Sequence, residues 1–304
     1  MLYQGDRLDW FNSSLICVLA LASAVAIPLF LANEWFHPLP FLKLQMLGRR
    51  NIAYGALGLF AFLLISQSGS TVPLRYLREI QGYRPLQSNL ITLEIAASQL
   101  LMLPAMALLL DYKRVDSRVV SMVGLGLILA SCIGSSFLTV YWNRDQFYLW
   151  QLLQAVGQPM VIMPLLMMTT NSVAGPAEGP FAAALVNTSR AVAEAASAWF
   201  VALIDRWRNA LHSDRIIDQA GQDRWRVLQS NGVLPRYPPP LTPDGQPRVP
   251  NSLEAFRHAV EQQAAILSTS DTFLILGALT LFLMVVVVTL PVRTIPPRIL
   301  FAKH

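Results

Sequence analysis

Long apolar blocks separated by short polar stretches dominate the chain. Residues 14–33, 51–74, 119–143, 146–177 and 272–292 carry no charge. Residues 85–110 hold one, Glu94, and residues 181–204 hold two, Arg190 and Glu194. A helix needs about 20 apolar residues to cross the hydrocarbon core, so the pattern predicts seven transmembrane helices. The blocks lack the alternation of barrel strands, which leaves an all-α integral membrane fold, since lipid offers the backbone no other partner. The block 146–177 is too long for one untilted span, and its ends belong in interface or loop.

Composition agrees with the pattern. Apolar residues make up 54% of the 304 and charged residues 13%, where a soluble domain carries about 25% charged. The net charge of +5 is modest, and no Lys/Arg run forms a nucleic-acid patch. Cys17 and Cys132 both sit in apolar blocks, so neither a disulfide framework nor a Cys-based metal site is expected. His37, His212, His258 and His304 are scattered without ligand spacing. No phosphate-binding glycine motif is present, and no cofactor is expected. No nucleophile–base or metal arrangement appears either, so an enzyme is not the expectation.

Orientation follows from Lys and Arg in short loops. One set of span ends carries nine: Lys43, Arg49, Arg50, Lys113, Arg114, Arg118, Arg293, Arg298 and Lys303. The other carries five: Arg7, Arg75, Arg78, Arg84 and Arg144. The bias predicts a cytoplasmic C-terminus and an extracytoplasmic N-terminus in the inner (plasma) membrane. Tyr141, Trp142, Tyr148 and Trp150 cluster at one span end as an interfacial belt, and Trp199 and Trp207 flank another. The segment 205–271 reads as a long extracytoplasmic loop. Its eight Arg balance eight acidic residues, and seven prolines lie between Pro235 and Pro250. Helix-like pieces at 214–230 and 252–268 flank that Pro-rich stretch.

Ionisable groups inside spans are the strongest functional pointers, because lipid penalises them. Glu94, Arg190 and Glu194 qualify. Arg190 and Glu194 are four apart and share a helix face. They are read either as a proton or substrate relay facing a cavity or as a static packing pair. Gln99, Gln154, Gln158 and Asn187 are the uncharged polar residues deep in spans, suited to interhelical hydrogen bonds or a substrate path. Pro104, Pro159 and Pro164 are expected to interrupt helices. The small-residue stretch 191–198 suits close helix packing. Met160, Met163, Met167 and Met168 form either an adaptable ligand wall or ordinary packing.

Several motifs then resemble one family. Gly5 through Ser13 (GDRLDWFNS) is similar to the GxxLDWFNS stretch of the 14-helix drug:proton antiporters of the EmrB/QacA type, within the major facilitator superfamily. His37-Pro38 through Arg49-Arg50-Asn51 resembles the segment leading into that family's next helix. Asp111-Tyr112-Lys113-Arg114 with Arg118 resembles its short D-R-x-G-R cytoplasmic loop, which makes Asp111, Arg114 and Arg118 gating-loop candidates. Gln154, Met163-Pro164-Leu165 and the N-x-x-R stretch Asn187–Arg190 follow in family order. Glu194 stands where the family usually has Gly, and the helix with Glu94 usually carries Ala, Pro and Gly.

The resemblance implies a C-terminal half. It comprises residues 1–50, an extracytoplasmic N-terminal segment, the accessory helix 14–33 and a linker, then a six-helix unit over 51–292 and a cytoplasmic tail, 293–304. It implies proton-coupled multidrug export of small amphipathic molecules in a complete transporter. The implied partners are the substrate, the proton, the bilayer, a missing N-terminal half and a periplasmic adaptor protein, with no nucleic acid. Expressed alone, such a half is expected to be unstable as a monomer. The alternative is a truncated, non-transporting membrane protein whose large outer loop binds a partner.

Overall fold

The computed structural model describes residues 5, 10–37, 40–112, 115–171, 178–229 and 252–289. Among these, every regular element is helical. The helices are α1 (Ser14–Phe36), α2 (Arg50–Ser66), α3 (Thr71–Glu79), α4 (Pro85–Ser88), α5 (Leu90–Asp111), α6 (Ser117–Ser136), α7 (Arg144–Asn171), α8 (Gly179–Gln229) and α9 (Ser252–Val288). Six helical stretches are long and apolar enough to cross a membrane: Ser14–Phe36, Ile52–Glu79, Pro85–Asp111, Ser117–Ser136, Arg144–Met167 and Phe256–Val288. The chain is an all-α, multi-pass membrane protein. The seventh expected stretch, 181–204, is helical but lies inside the 51-residue α8. Asn187, Arg190 and Glu194 make it more polar than the other six.

Among the described residues, helix α1 packs chiefly on the chain beside it, the 3-10 turns Trp10–Asn12 and Leu44–Gly48, and buries only Ile16 and Glu34. A helix apolar on all sides and this little covered by the bundle needs lipid around it. The Glu34 carboxylate is satisfied locally, accepting from the Leu42 N–H at 2.7 Å. The other long helices form a bundle around α7, which packs on α2, α5, α6 and α8, while α9 packs on α2, α6 and α8. Phe62, Ile65, Leu125, Ile128, Phe147, Val161, Phe273 and Leu276 fill its core. Between α6 and α7 the backbones nearly touch: a Cβ on Gly157 would lie 2.7 Å from the Gly124 carbonyl oxygen. Packing of this kind needs glycine, because apolar burial alone does not hold helices together in lipid.

Three boundaries differ from the sequence expectation. The block 51–74 is two helices, broken at Gln67–Ser70. Here Ser66 and Ser68 turn their hydroxyls onto the carbonyls of Leu63 (2.8 Å) and Ile65 (2.6 Å), competing with the helical ladder. The prolines behave otherwise. Helix α5 continues through Pro104, and α7 through Pro159 and Pro164. A proline removes one donor but leaves its carbonyl neighbours room to adjust within a bundle, so the expected interruptions do not occur there.

The block 119–143 stops being helical at Ser136. Its remainder is pinned by the Tyr76 hydroxyl, which donates to the Thr139 carbonyl at 2.7 Å. Where a loop was expected from 205 to 271, α8 runs on to Gln229 and α9 starts at Ser252. The two helix-like pieces are thus extensions of spans. The Pro-rich stretch 235–250 lies outside the described residues.

Candidate functional site

The break between α2 and α3 sits against one stripe of α7. Gln151, Gln154 and Gln158 recur at spacings of three and four and so share a helix face. Gln154 Nε2 donates to Ser68 Oγ at 2.7 Å and approaches Cys132 Sγ on α6 at 3.8 Å. Gln151 Nε2 reaches the Ser68 carbonyl at 3.5 Å. Gln99 on α5 donates to Gln158 Oε1 at 2.8 Å. Gly69 lets the chain pass close to Gln158, whose Nε2 would lie 2.7 Å from a Cβ there. On the other side of the break, Gln67 donates to Ser197 Oγ of α8 at 3.0 Å and accepts from Thr71 Oγ1 at 2.5 Å. Five helices therefore meet in one neutral, amide-rich cluster.

Gln151, Gln154 and Ser68 are completely buried. Among the described residues, the side-chain oxygens of Gln151 and Gln154 have no hydrogen-bond partner. A buried acceptor without a donor is costly, and unsatisfied groups are rare in a settled interior. Both are acceptors, so any group that satisfies them must bring a donor. The expected polar residues Gln99, Gln154 and Gln158 are thus brought together. Gln151 was not singled out from the sequence, although the shared α7 stripe marks it.

The ionisable candidates lie elsewhere. Arg190 Nε donates to Glu194 Oε1 at 2.7 Å, the i,i+4 pair expected from spacing. Both side chains are more than half exposed, at 63% and 52%, and Asn187 one turn earlier is exposed as well. Glu194 is open, so loss of Arg190 strands no buried carboxylate. Helix α8 links this face to the cluster through Ser197, whose hydroxyl donates to the Glu194 carbonyl at 2.9 Å. Glu94 on α5 is half-buried, its Oε2 has no partner, and among the described residues it forms no ion pair with Arg190.

At the end of α5, Asp111 is exposed. Arg114 lies outside the described residues. Arg118 has buried Nε and Nη2 atoms without partners among the described residues, and its backbone N–H is capped by Asp116 Oδ1 at 3.0 Å. Met160, Met163 and Met167 pack against Met106, Leu110 and Val120, the ordinary role for such a stripe. Of the aromatic belt, Tyr141 is strongly exposed, as is Trp207 at the other flank, whereas Trp142 turns inward to meet Phe147 edge-on at 5.2 Å.

The two ends of the bundle carry charge clamps that sequence reading did not single out. At one end, Arg49 forks onto Glu178, with Nη1–Oε2 at 2.7 Å and Nη2–Oε1 at 3.1 Å, and Lys43 Nζ lies 3.4 Å from the same carboxylate. Glu178 immediately precedes α8, where a helix N-terminus favours negative charge. Its hydrogen bond and charge raise the pKa of Arg49 further above the usual guanidinium value. Met46, Ile52, Ala182 and Leu185 back the contact with a small apolar core. The linker after α1 is thereby fixed to the start of α8. At the opposite end, Arg75 of α3 bonds Asp205 of α8 at 2.6 Å and Glu79 at 2.9 Å. Arg78 bonds Ser88 and Asn89, and Gln81 bonds the Val140 carbonyl. Helix α3 is thus hinged at the amide cluster and latched at its far end. Among the described residues no His/Cys/Asp/Glu group could hold a metal ion.

These features define a polytopic membrane protein with a broken helix and a buried polar cluster inside its bundle. The chain is similar to two resistance proteins. It is 25% identical over 285 residues to the fatty acid resistance protein FarB of Neisseria gonorrhoeae, covering 90% of this chain and 52% of FarB. It is 29% identical over 104 residues to "Probable multidrug resistance protein EmrY" of Escherichia coli strain K12, covering 34% of this chain and 20% of EmrY. The chain thus spans about half the length of the FarB sequence it matches. No protein-family model matches it.

Proposed function

We propose that the chain forms one half of a proton-coupled efflux transporter for small amphipathic molecules, of the 14-helix EmrB/QacA type. In this reading it is the C-terminal half, lying in the inner membrane with its C-terminus cytoplasmic. The observation that carries the reading is the break at Gln67–Ser70, seated on Gln151, Gln154 and Gln158. Irregular backbone at membrane depth is tolerated only where protein or a cavity surrounds it, and transporters build their sites from such breaks. Similarity to FarB along nearly the whole chain supports the same class and adds fatty acids as the first substrates to try. The open Arg190–Glu194 pair supports the coupling. Two charges exposed on a helix of this bundle need water or another protein surface beside them.

The test is export. The chain, produced with the longer partner sequence that completes a FarB-length protein, is placed in an efflux-deficient bacterium. Resistance to long-chain fatty acids and accumulation of a fluorescent amphiphile are measured with and without a proton uncoupler. Lower accumulation that the uncoupler abolishes supports the proposal. Accumulation equal to an empty vector at matched membrane levels sinks it.

A further inference from the structure

The amide cluster has a closed floor and an accessible rim. Ser68, Gln151 and Gln154 make the floor and expose no surface. On the rim, Thr71 is exposed, and Gln67, Ser70, Gln99 and Gln158 are half-buried. Rim and floor are continuous. Gln67 immediately precedes Ser68 in the break, and Gln158 stands one turn along α7 from Gln154. A polar track therefore leads from the surface to the unpartnered oxygens of Gln154 and Gln151.

The track is neutral. Among the described residues no charged side chain, Glu94 included, hydrogen-bonds to any member of the cluster. Ser197 meets Glu194 only at its backbone carbonyl. An ion drawn down to the floor would lose its water and find no counter-charge. A carboxylate or sulfonate would also set acceptors against acceptors. A neutral head with an O–H or N–H brings the one thing the floor lacks. A carboxamide offers an oxygen acceptor and two N–H donors, and Gln154 spends its short bond on Ser68 Oγ. Its oxygen edge remains for a donor.

We propose that the floor of the cluster binds the uncharged, hydrogen-donating head of an amphiphile, such as a long-chain alcohol or the undissociated form of a fatty acid. The head donates to Gln154 Oε1, the unpartnered oxygen one turn from the rim. This inference rests on the transport reading and narrows its substrates, from small amphipathic molecules to those whose head is neutral and carries a donor.

The test compares different heads on one tail. The chain, completed as for the export assay, is placed in lipid nanodiscs. Displacement of radiolabelled 1-tetradecanol is read by scintillation proximity, with empty nanodiscs subtracted for partitioning. The competitors are 1-tetradecanol, its methyl ether and tetradecyl sulfonate. The ether keeps the oxygen and loses only the donor. The alcohol should displace at concentrations about tenfold lower than the ether, the scale of one buried acceptor satisfied instead of stranded. The sulfonate should do no better than the ether. In Gln154→Leu and in Gln154→Met the difference between alcohol and ether should vanish. Equal displacement by alcohol and ether in a protein that still exports overturns the inference and leaves the transport reading standing. An alcohol preference that survives in both variants, or a sulfonate that outcompetes the alcohol, overturns it too. So does the absence of displacement above empty nanodiscs, which together with absent export removes the transport reading as well.

Discussion

Replacing Gln154 separates a polar group kept for packing from one kept for function. The side chain is fully buried, makes one short bond to Ser68 Oγ and one long contact to Cys132, and leaves its Oε1 unsatisfied. Leucine has nearly the same volume. Gln154→Leu loses the Ser68 bond, about 0.6 kcal/mol by the average for such bonds in membrane proteins. Ser68 keeps its own donation to the Ile65 carbonyl at 2.6 Å, so no new donor is stranded. The substitution also removes a buried unsatisfied acceptor, worth about 1–3 kcal/mol. The balance favours the variant, by roughly 0.5–2 kcal/mol. Gln154→Ala removes the same acceptor but opens a cavity between α7, α6 and the break, and should be the less stable of the two by about 2 kcal/mol or more. Thermal unfolding in detergent, read by loss of the monodisperse chromatographic peak, ranks the variants. Export by the completed transporter is measured in parallel. Gln154→Leu should melt at or above wild type and export nothing. A Gln154→Leu protein that melts as low as Gln154→Ala while exporting normally would refute the reasoning and leave the amide as a packing device.

Glu194→Gln should unfold within about 0.5 kcal/mol of wild type, because its pair with Arg190 is open and i,i+4 pairs contribute little. It should nevertheless remove the pH dependence of export, with Glu94→Gln the milder change, and an unaltered pH profile would remove the pair from coupling. Arg49→Glu should free the 44–48 linker from α8, seen as new protease cleavage there. The double swap Arg49→Glu with Glu178→Arg should restore protection, and an Arg49→Glu protein with no new cleavage would show that the apolar contact alone holds the linker.

Much of this architecture is legible because lipid acts as a single, severe solvent. Uncharged runs of about 20 residues leave few alternatives, and α1, α5, α6 and α7 fall where those runs lie. The Arg190–Glu194 pair follows from spacing alone, since it needs only its own helix. The features that escaped depend on partners distant in sequence. Nothing local separates Ser68, which breaks a helix on α7, from a serine in an ordinary span. Pro104, Pro159 and Pro164 are stronger local breakers, yet their helices continue, because the bundle holds the flanking turns in place. The same holds for Glu178, Asp205 and Asp271. Each lies near the end of an apolar block, where charge is common and uninformative. Their cations, Arg49, Arg75 and Arg208, stand on other helices or on a distant linker. One sequence signal would have found the amide cluster. Gln151, Gln154 and Gln158 stand at three- and four-residue spacing in an apolar helix, a polar stripe that lipid would not tolerate. Such a stripe must face protein or water, and here it faces the break between α2 and α3. An unsatisfied stripe and an irregular backbone each need a partner, and in this bundle each partly supplies the other. The orphaned oxygens of Gln151 and Gln154 measure how far that exchange falls short. A donor placed at this junction would satisfy two buried acceptors that no donor among the described residues reaches.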